Sequence, residues 1–143
     1  FAYAFSDKKY PGVPEIDLNI IDDRPFFVGD LQFQPVQVYH FRLPVLGFRV
    51  GNFAYITDAN VIPEEEYAKL QGLEVVVLNA LRREKHPSHF TLEEAIKIGE
   101  RIGARQTWFT HISHQLGLHE EVEQELPPGM HLAFDGLKLE VML

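Results

Sequence analysis

The stretch "EVVVLNAL", Glu74 to Leu81, constrains the fold more than any other part of this chain. It shows no alternation of apolar and polar side chains, so it reads as a strand needing cover on both faces. A second short buried strand, "QTWFT" (Gln106–Thr110), follows it. Between them lies "TLEEAIKIGERIG", which predicts a helix. Thr91 and Glu94 stand at capping-box spacing, Leu92, Ala95, Ile96, Gly99 and Ile102 share one face, and Gly103 is a stop.

Upstream, the pattern is β. "EIDLNII" (Glu15–Ile21) and "LQFQPVQVYHF" (Leu31–Phe41) both alternate, with Pro35 predicting an edge or a bend. "VLGFRV" and "FAYIT" flank Gly51-Asn52, a two-residue turn that tolerates positive φ. Pro63 opens a short helix, "PEEEYAKL", with acids in its first turn. The chain after His111 reads as helical until Pro127, and "HLAF-DG-LKLEV" predicts a closing hairpin around Asp135-Gly136. The expected class is α/β (α+β), a sheet covered by helices on one face, in one continuous domain or part of one.

Composition narrows the chemistry. The chain has 143 residues, enough for a core, and its 45% hydrophobic and 12% aromatic content argues against disorder. A net charge of −8 disfavours a non-specific nucleic-acid or anionic-membrane surface, "LRREKH" (Leu81–His86) being the basic exception. With no cysteine, any metal must be held by imidazole and carboxylate. No apolar run is long enough to span a bilayer, and no signal-peptide pattern opens the sequence, so cytoplasm is the default expectation. The charged runs Glu64–Glu66 and Glu120–Glu125 read as solvated helix faces. The aromatic start, with Phe1, Tyr3, Phe5 and Tyr10, reads as core or partner contact.

Three polar residues stand where apolar runs end: His40 after "VQVY", Asp58 after "FAYIT" and His111 after "TWFT". Strand ends along one sheet edge fix a ligand side chain while a loop leaves it accessible. Two imidazoles and a carboxylate suit zinc or another borderline divalent ion. Each residue alone also fits a plainer role: His40 an ordinary strand-end histidine, Asp58 a turn or cap, His111 a helix cap beside Ser113. His89, in "HPSHFTLEEA", precedes a helix start, where it would meet an anion as general acid or phosphate contact, or stand as a solvated loop histidine.

The order His40, Thr57-Asp58, His89-Phe90-Thr91, Thr110-His111-Ile112-Ser113, Asp135-Gly136 resembles the C-terminal half of metallo-β-lactamase-fold hydrolases. Within them it is similar to the phosphodiesterase branch that holds the phosphoribosyl 1,2-cyclic phosphate phosphodiesterases and, more distantly, tRNase Z. The likeness covers most of the chain from about Val36 onward. It implies an αββα sandwich of two β-rich halves, with residues 1–143 forming the C-terminal part of one such domain. It further implies two divalent cations, zinc before manganese. His40 would bind one, Asp58 would bridge both and His111 would bind the second, with His89 as proton donor or phosphate contact and with His114 and Thr91 in support.

The implied activity is hydrolysis of a phosphodiester or similar small anionic substrate by a metal-activated water. A carboxylic ester, thioester or lactone hydrolase of the same fold is the alternative, and a binding or assembly domain without metals a third reading. The family's upstream H-x-H-x-D-H cluster occurs nowhere in the sequence. The chain by itself is therefore expected to bind metal weakly, to lack activity, and to associate with itself or with the missing half.

Overall fold

A computed structural model describes residues 2–5, 11–14 and 16–141. Seven strands form one sheet in sequence order: β1 (Phe26–Val28), β2 (Leu31–His40), β3 (Leu43–Val50), β4 (Phe53–Ile56), β5 (Val75–Asn79), β6 (Gln106–Thr110) and β7 (Met130–Leu132). Pairing is antiparallel from β1 to β4 and parallel from β4 to β7. Consequently β2, β4, β5, β6 and β7 all run the same way, and their C-terminal ends share one edge.

The expected β-turn at Gly51-Asn52 is present: Val50 pairs with Phe53, and Gly51 takes φ +53°. β5 is buried along its whole length, as its unbroken apolar pattern requires. β6 alternates between buried and half-buried positions. α1 (Leu92–Ile102) has the full capping box, the Thr91 side chain accepting from Glu94 N–H and Glu94 from Thr91 N–H, and ends on Gly103 in the left-handed conformation. Its buried residues Leu92, Ala95, Gly99 and Ile102 pack on a core that includes Ile56, Val76, Leu78 and Phe109.

The structure corrects several expectations. Residues 16–21 form no strand; they lie exposed, and Ile20 is 99% accessible. Alternation alone did not suffice: among the described residues no strand pairs with that backbone. Glu15, Phe1, Tyr10 and the Tyr3 side chain lie outside the described residues, while Phe5 is exposed. "EEEYAKL" is a 3-10 helix, Glu64–Leu70, rather than an α-helix. Nor is its acidic run wholly solvated. β1 covers β2 only as far as Phe33, which leaves Pro35 on open edge. Beyond it Glu66, 8% exposed, accepts from Gln37 N–H at 2.8 Å, while Lys69 Nζ bonds both Glu66 and the Pro35 carbonyl.

Past His111 the only helix among the described residues is α2 (His119–Glu125), preceded by turns. Glu123 on α2 is not a solvated face either, since it accepts from Leu132 N–H and pairs with His131. The closing hairpin is absent. The turn at Asp135-Gly136 forms, with Leu137 N–H bonded to the Phe134 carbonyl, but β7 pairs with β6 and residues 137–141 form no strand.

Candidate metal centre

Parallel strands bring the site together. His40 ends β2, Asp58 follows β4 by two residues and His111 follows β6 directly, all on the shared C-terminal edge. Among the described residues three that are not glycine have positive φ: Phe41 (59°), Asp58 (53°) and His111 (57°). Such backbone costs on the order of 1–2 kcal/mol per residue, and it clusters where side chains must turn sharply from a strand end into a site. Two of the three are candidate ligands and the third adjoins one.

Asp58 Oδ1 lies 3.0 Å from His89 Nε2 and 3.3 Å from His111 Nε2. The His89 ring stacks on His111 at 4.7 Å between centroids and meets His40 edge-on at 4.8 Å. Ligand atoms of His40, Asp58 and His89 lie within 4.8 Å of one another. The geometry thus draws His89 as close to the carboxylate as the expected ligand His111. His89 is enclosed, its side chain 10% exposed, whereas Asp58 and His111 are open to solvent. The His89 hydrogen bond is the main reason the Asp58 carboxyl sits below its ordinary range. Burial opposes that shift, and the charges of His111, His89 and His40 add to it.

The donor set fits a divalent cation. Imidazole nitrogens and a carboxylate suit zinc, and neighbouring donors about 3.3 Å apart are what ~2.0 Å bonds in a tetrahedral site require. The His111–Asp58 separation of 3.3 Å is of that size. Two of the plainer roles do not fit the geometry: His111 caps no helix, because the cap of α2 is Leu118. His89 is not a solvated loop residue but a buried one.

Two further residues were expected in support. The Thr91 hydroxyl is used in capping α1, and His114 is exposed. Two residues not foreseen fasten the site. Asn79, fully buried at the end of β5, accepts from Ala59 N–H (2.9 Å) and donates to the Ala59 carbonyl (3.0 Å), pinning the backbone beside Asp58. Asn60 accepts from Phe41 N–H and donates to the Pro87 carbonyl, tying the His40 turn to the His89 loop. The signal for Asn79 was visible as the one polar residue in an otherwise apolar strand. His86, His89 and Ser88 also form a cluster, Nδ1 of His86 lying 3.0 Å from Nδ1 of His89.

The family profile described as "Beta-lactamase superfamily domain" matches residues 1–112 of this chain. The chain belongs to the beta-lactamase superfamily. Among solved superfamily members it is similar to a diphosphatase from the PhnP family, at 42% identity and a TM-score of 0.84 over 86% of this chain and 48% of that one. YhfI from Bacillus subtilis, a metallo-beta-lactamase fold protein, shares the fold at 16% identity and TM-score 0.70 over 84% and 54%. So does the short form of human tRNase Z, at 16% and 0.63 over 82% and 46%. A curated relative, an octanoyltransferase of Porphyromonas gingivalis (strain ATCC BAA-308 / W83), is 40% identical over 138 residues. The chain spans about half the length of these solved relatives and 28% of that curated one. The superfamily's phosphodiesterase branch, expected from residue order, is matched by these neighbours, and the sheet with helices on one face agrees with one layer pair of its fold. Among the described residues no helix is long and apolar enough to cross a membrane.

Proposed function

We propose that the protein carrying this chain is a metal-dependent hydrolase of phosphoryl P–O bonds, with a small phosphoric diester as its substrate. The observation that carries this reading is the meeting of His40, Asp58, His89 and His111 on one sheet edge. The 42% identity to a PhnP-family diphosphatase supports it.

His40, Asp58 and His111 would hold the cation, zinc by donor set with manganese as the alternative, and further ligands come from outside these 143 residues. Bound there, the cation supplies Lewis acidity and a way to activate water near neutral pH. Asp58, an acid ionised near neutral pH and held lower still chiefly by the His89 hydrogen bond, is ready to ligate without first losing a proton. His40 and His111 are neutral donors, so they leave net positive charge for an anionic substrate despite the chain's −8. His89 brings an N–H to the same pocket, where it donates to an oxygen of the substrate or to the departing alkoxide. The 143-residue chain alone is expected to bind metal weakly and to lack turnover.

The test is metal-dependent hydrolysis of a bis-aryl phosphate, a diphosphate, a lactone and a thioester by the enzyme that includes this chain. Asp58→Asn and His111→Ala should each reduce phosphodiester cleavage to background. Equal activity of both variants with the unaltered enzyme would sink the proposal, and turnover of the lactone or thioester alone would move the substrate to an acyl compound. Preference for the diphosphate keeps the P–O chemistry and changes the substrate to an anhydride, the reaction named for the diphosphatase neighbour.

A further inference from the structure

The β2–β3 hairpin turns through only two residues, Phe41 and Arg42, since His40 pairs directly with Leu43. Phe41 takes φ 59° at the first of these positions, where tight hairpin turns favour glycine. A side chain there crowds its own backbone. The phenyl ring gains little back from burial, because Phe41 is 56% exposed. The turn is nevertheless held firmly. Asn60 Oδ1 accepts from Phe41 N–H at 2.7 Å, and Asn60 Nδ2 donates to the Pro87 carbonyl at 3.1 Å. Phe41 therefore adjoins His40 and is tied to the loops that carry Asp58 and His89. Arg42 Cζ lies over its ring, 5.2 Å from the centroid, and steadies that face by cation–π attraction.

We propose that Phe41 is a specificity-determining residue, its ring stacking on a flat unsaturated ring that the substrate carries beside the metal centre. Glycine would make the same turn without strain, so a phenyl ring held here against that strain serves contact with a ligand. A flat ring offers the offset or edge-on contact that aromatic pairs prefer, and a small alkyl group does not. Exposed Arg42 adds positive charge at the same turn, which suits an anionic ligand. The phosphoryl part of this substrate rests on the proposed function, whereas the flat ring rests on the turn alone. Aryl groups and nucleobases share that chemistry.

Binding to the zinc-loaded enzyme that includes this chain tests the proposal without turnover. Calorimetric titration with phenylphosphonate and methylphosphonate, at a pH where both are dianions, compares a ring with none. The phenyl compound should bind about three- to tenfold more tightly, the size of one aromatic pair. Phe41→Gly and Phe41→Leu should each remove that preference, and Phe41→Trp should keep it. Phe41→Gly should not lower the thermal midpoint, because it relieves the turn. AMP and ribose phosphate repeat the comparison with a nucleobase. A preference for AMP that depends on Phe41 extends the substrate class to nucleotides, and its absence restricts the class to simple aryl groups.

Equal binding of the two phosphonates by the unaltered enzyme, or no binding of phenylphosphonate, would overturn the inference. So would a preference kept in Phe41→Gly or Phe41→Leu, or lost in Phe41→Trp. A fall in the thermal midpoint of Phe41→Gly would do the same, since the ring would then be packing within the protein. If the enzyme shows the Phe41-dependent preference yet cleaves no phosphodiester, the functional reading fails while the role of Phe41 stands.

Discussion

Asp58 and His111 hold left-handed backbone that a side chain disfavours, and both point at the candidate metal centre. Strain of this kind is tolerated only where something else is gained. His111→Gly should therefore raise the thermal midpoint of the metal-free chain, by about 1 kcal/mol of stability at most, while weakening zinc binding. A denaturation curve and a zinc titration on the same sample read both, and a fall in stability would count against the strain argument. Glu123 makes a different kind of prediction. Burial alone would raise its carboxyl, but the Leu132 N–H bond and the His131 bond and charge together hold it below the ordinary 4.5. Because the folded value is the lower one, the stability it contributes is present above about 4.5 and is lost as pH falls through the folded value. The unaltered chain should lose more stability on acidification through that window than Glu123→Gln does, measured by urea unfolding at a series of pH values.

At the scale of elements, close packing decides what a substitution costs. A Cβ on Gly47 in β3 would sit 2.8 Å from Ile56 Cγ1 and 3.0 Å from the Tyr55 carbonyl oxygen. The nearest atom belongs to a fully buried side chain and the next is backbone, so neither can retreat cheaply. Gly47→Ala should destabilise by about 1–3 kcal/mol, the usual cost of overpacking, and the thermal midpoint would show it. Asn79→Leu acts at the end of β5. It removes the acceptor for the buried Ala59 N–H, at about 1–3 kcal/mol for an unpaired group, and frees the backbone that aims Asp58. Zinc affinity should fall along with stability, whereas Gly47→Ala should cost stability alone. The helix that most resembles its sequence pattern is α1, since its cap, face and stop all lie within thirteen consecutive residues. The 3-10 helix Glu64–Leu70 departs from its pattern because Glu66 and Lys69 are turned to β2.

For the whole molecule, a ligand that binds only the folded chain stabilises it by mass action, about 2.7 kcal/mol at a concentration a hundred times its dissociation constant. Zn2+ should raise the thermal midpoint of the chain, EDTA should reverse the shift, and Asp58→Asn should show neither. An equal shift in that variant would place the metal elsewhere. What the sequence determined by itself was whatever neighbouring residues decide together. The buried strand at Val75–Asn79, the capping box of α1 and the Gly51-Asn52 turn are written in residues a few positions apart. The candidate ligands His40, Asp58 and His111 were legible for a related reason, because each breaks an apolar run, and runs end at strand ends. Tertiary structure alone decided which polar groups meet. Gln37 finds Glu66 across 29 positions, Ala59 finds Asn79 across 20 and Asp58 finds His89 across 31. It likewise left residues 16–21, which alternate like a strand, without a partner strand among the described residues. A hydrogen bond needs its two atoms within about 3 Å of each other, and only the course of the folded chain brings such distant residues that close.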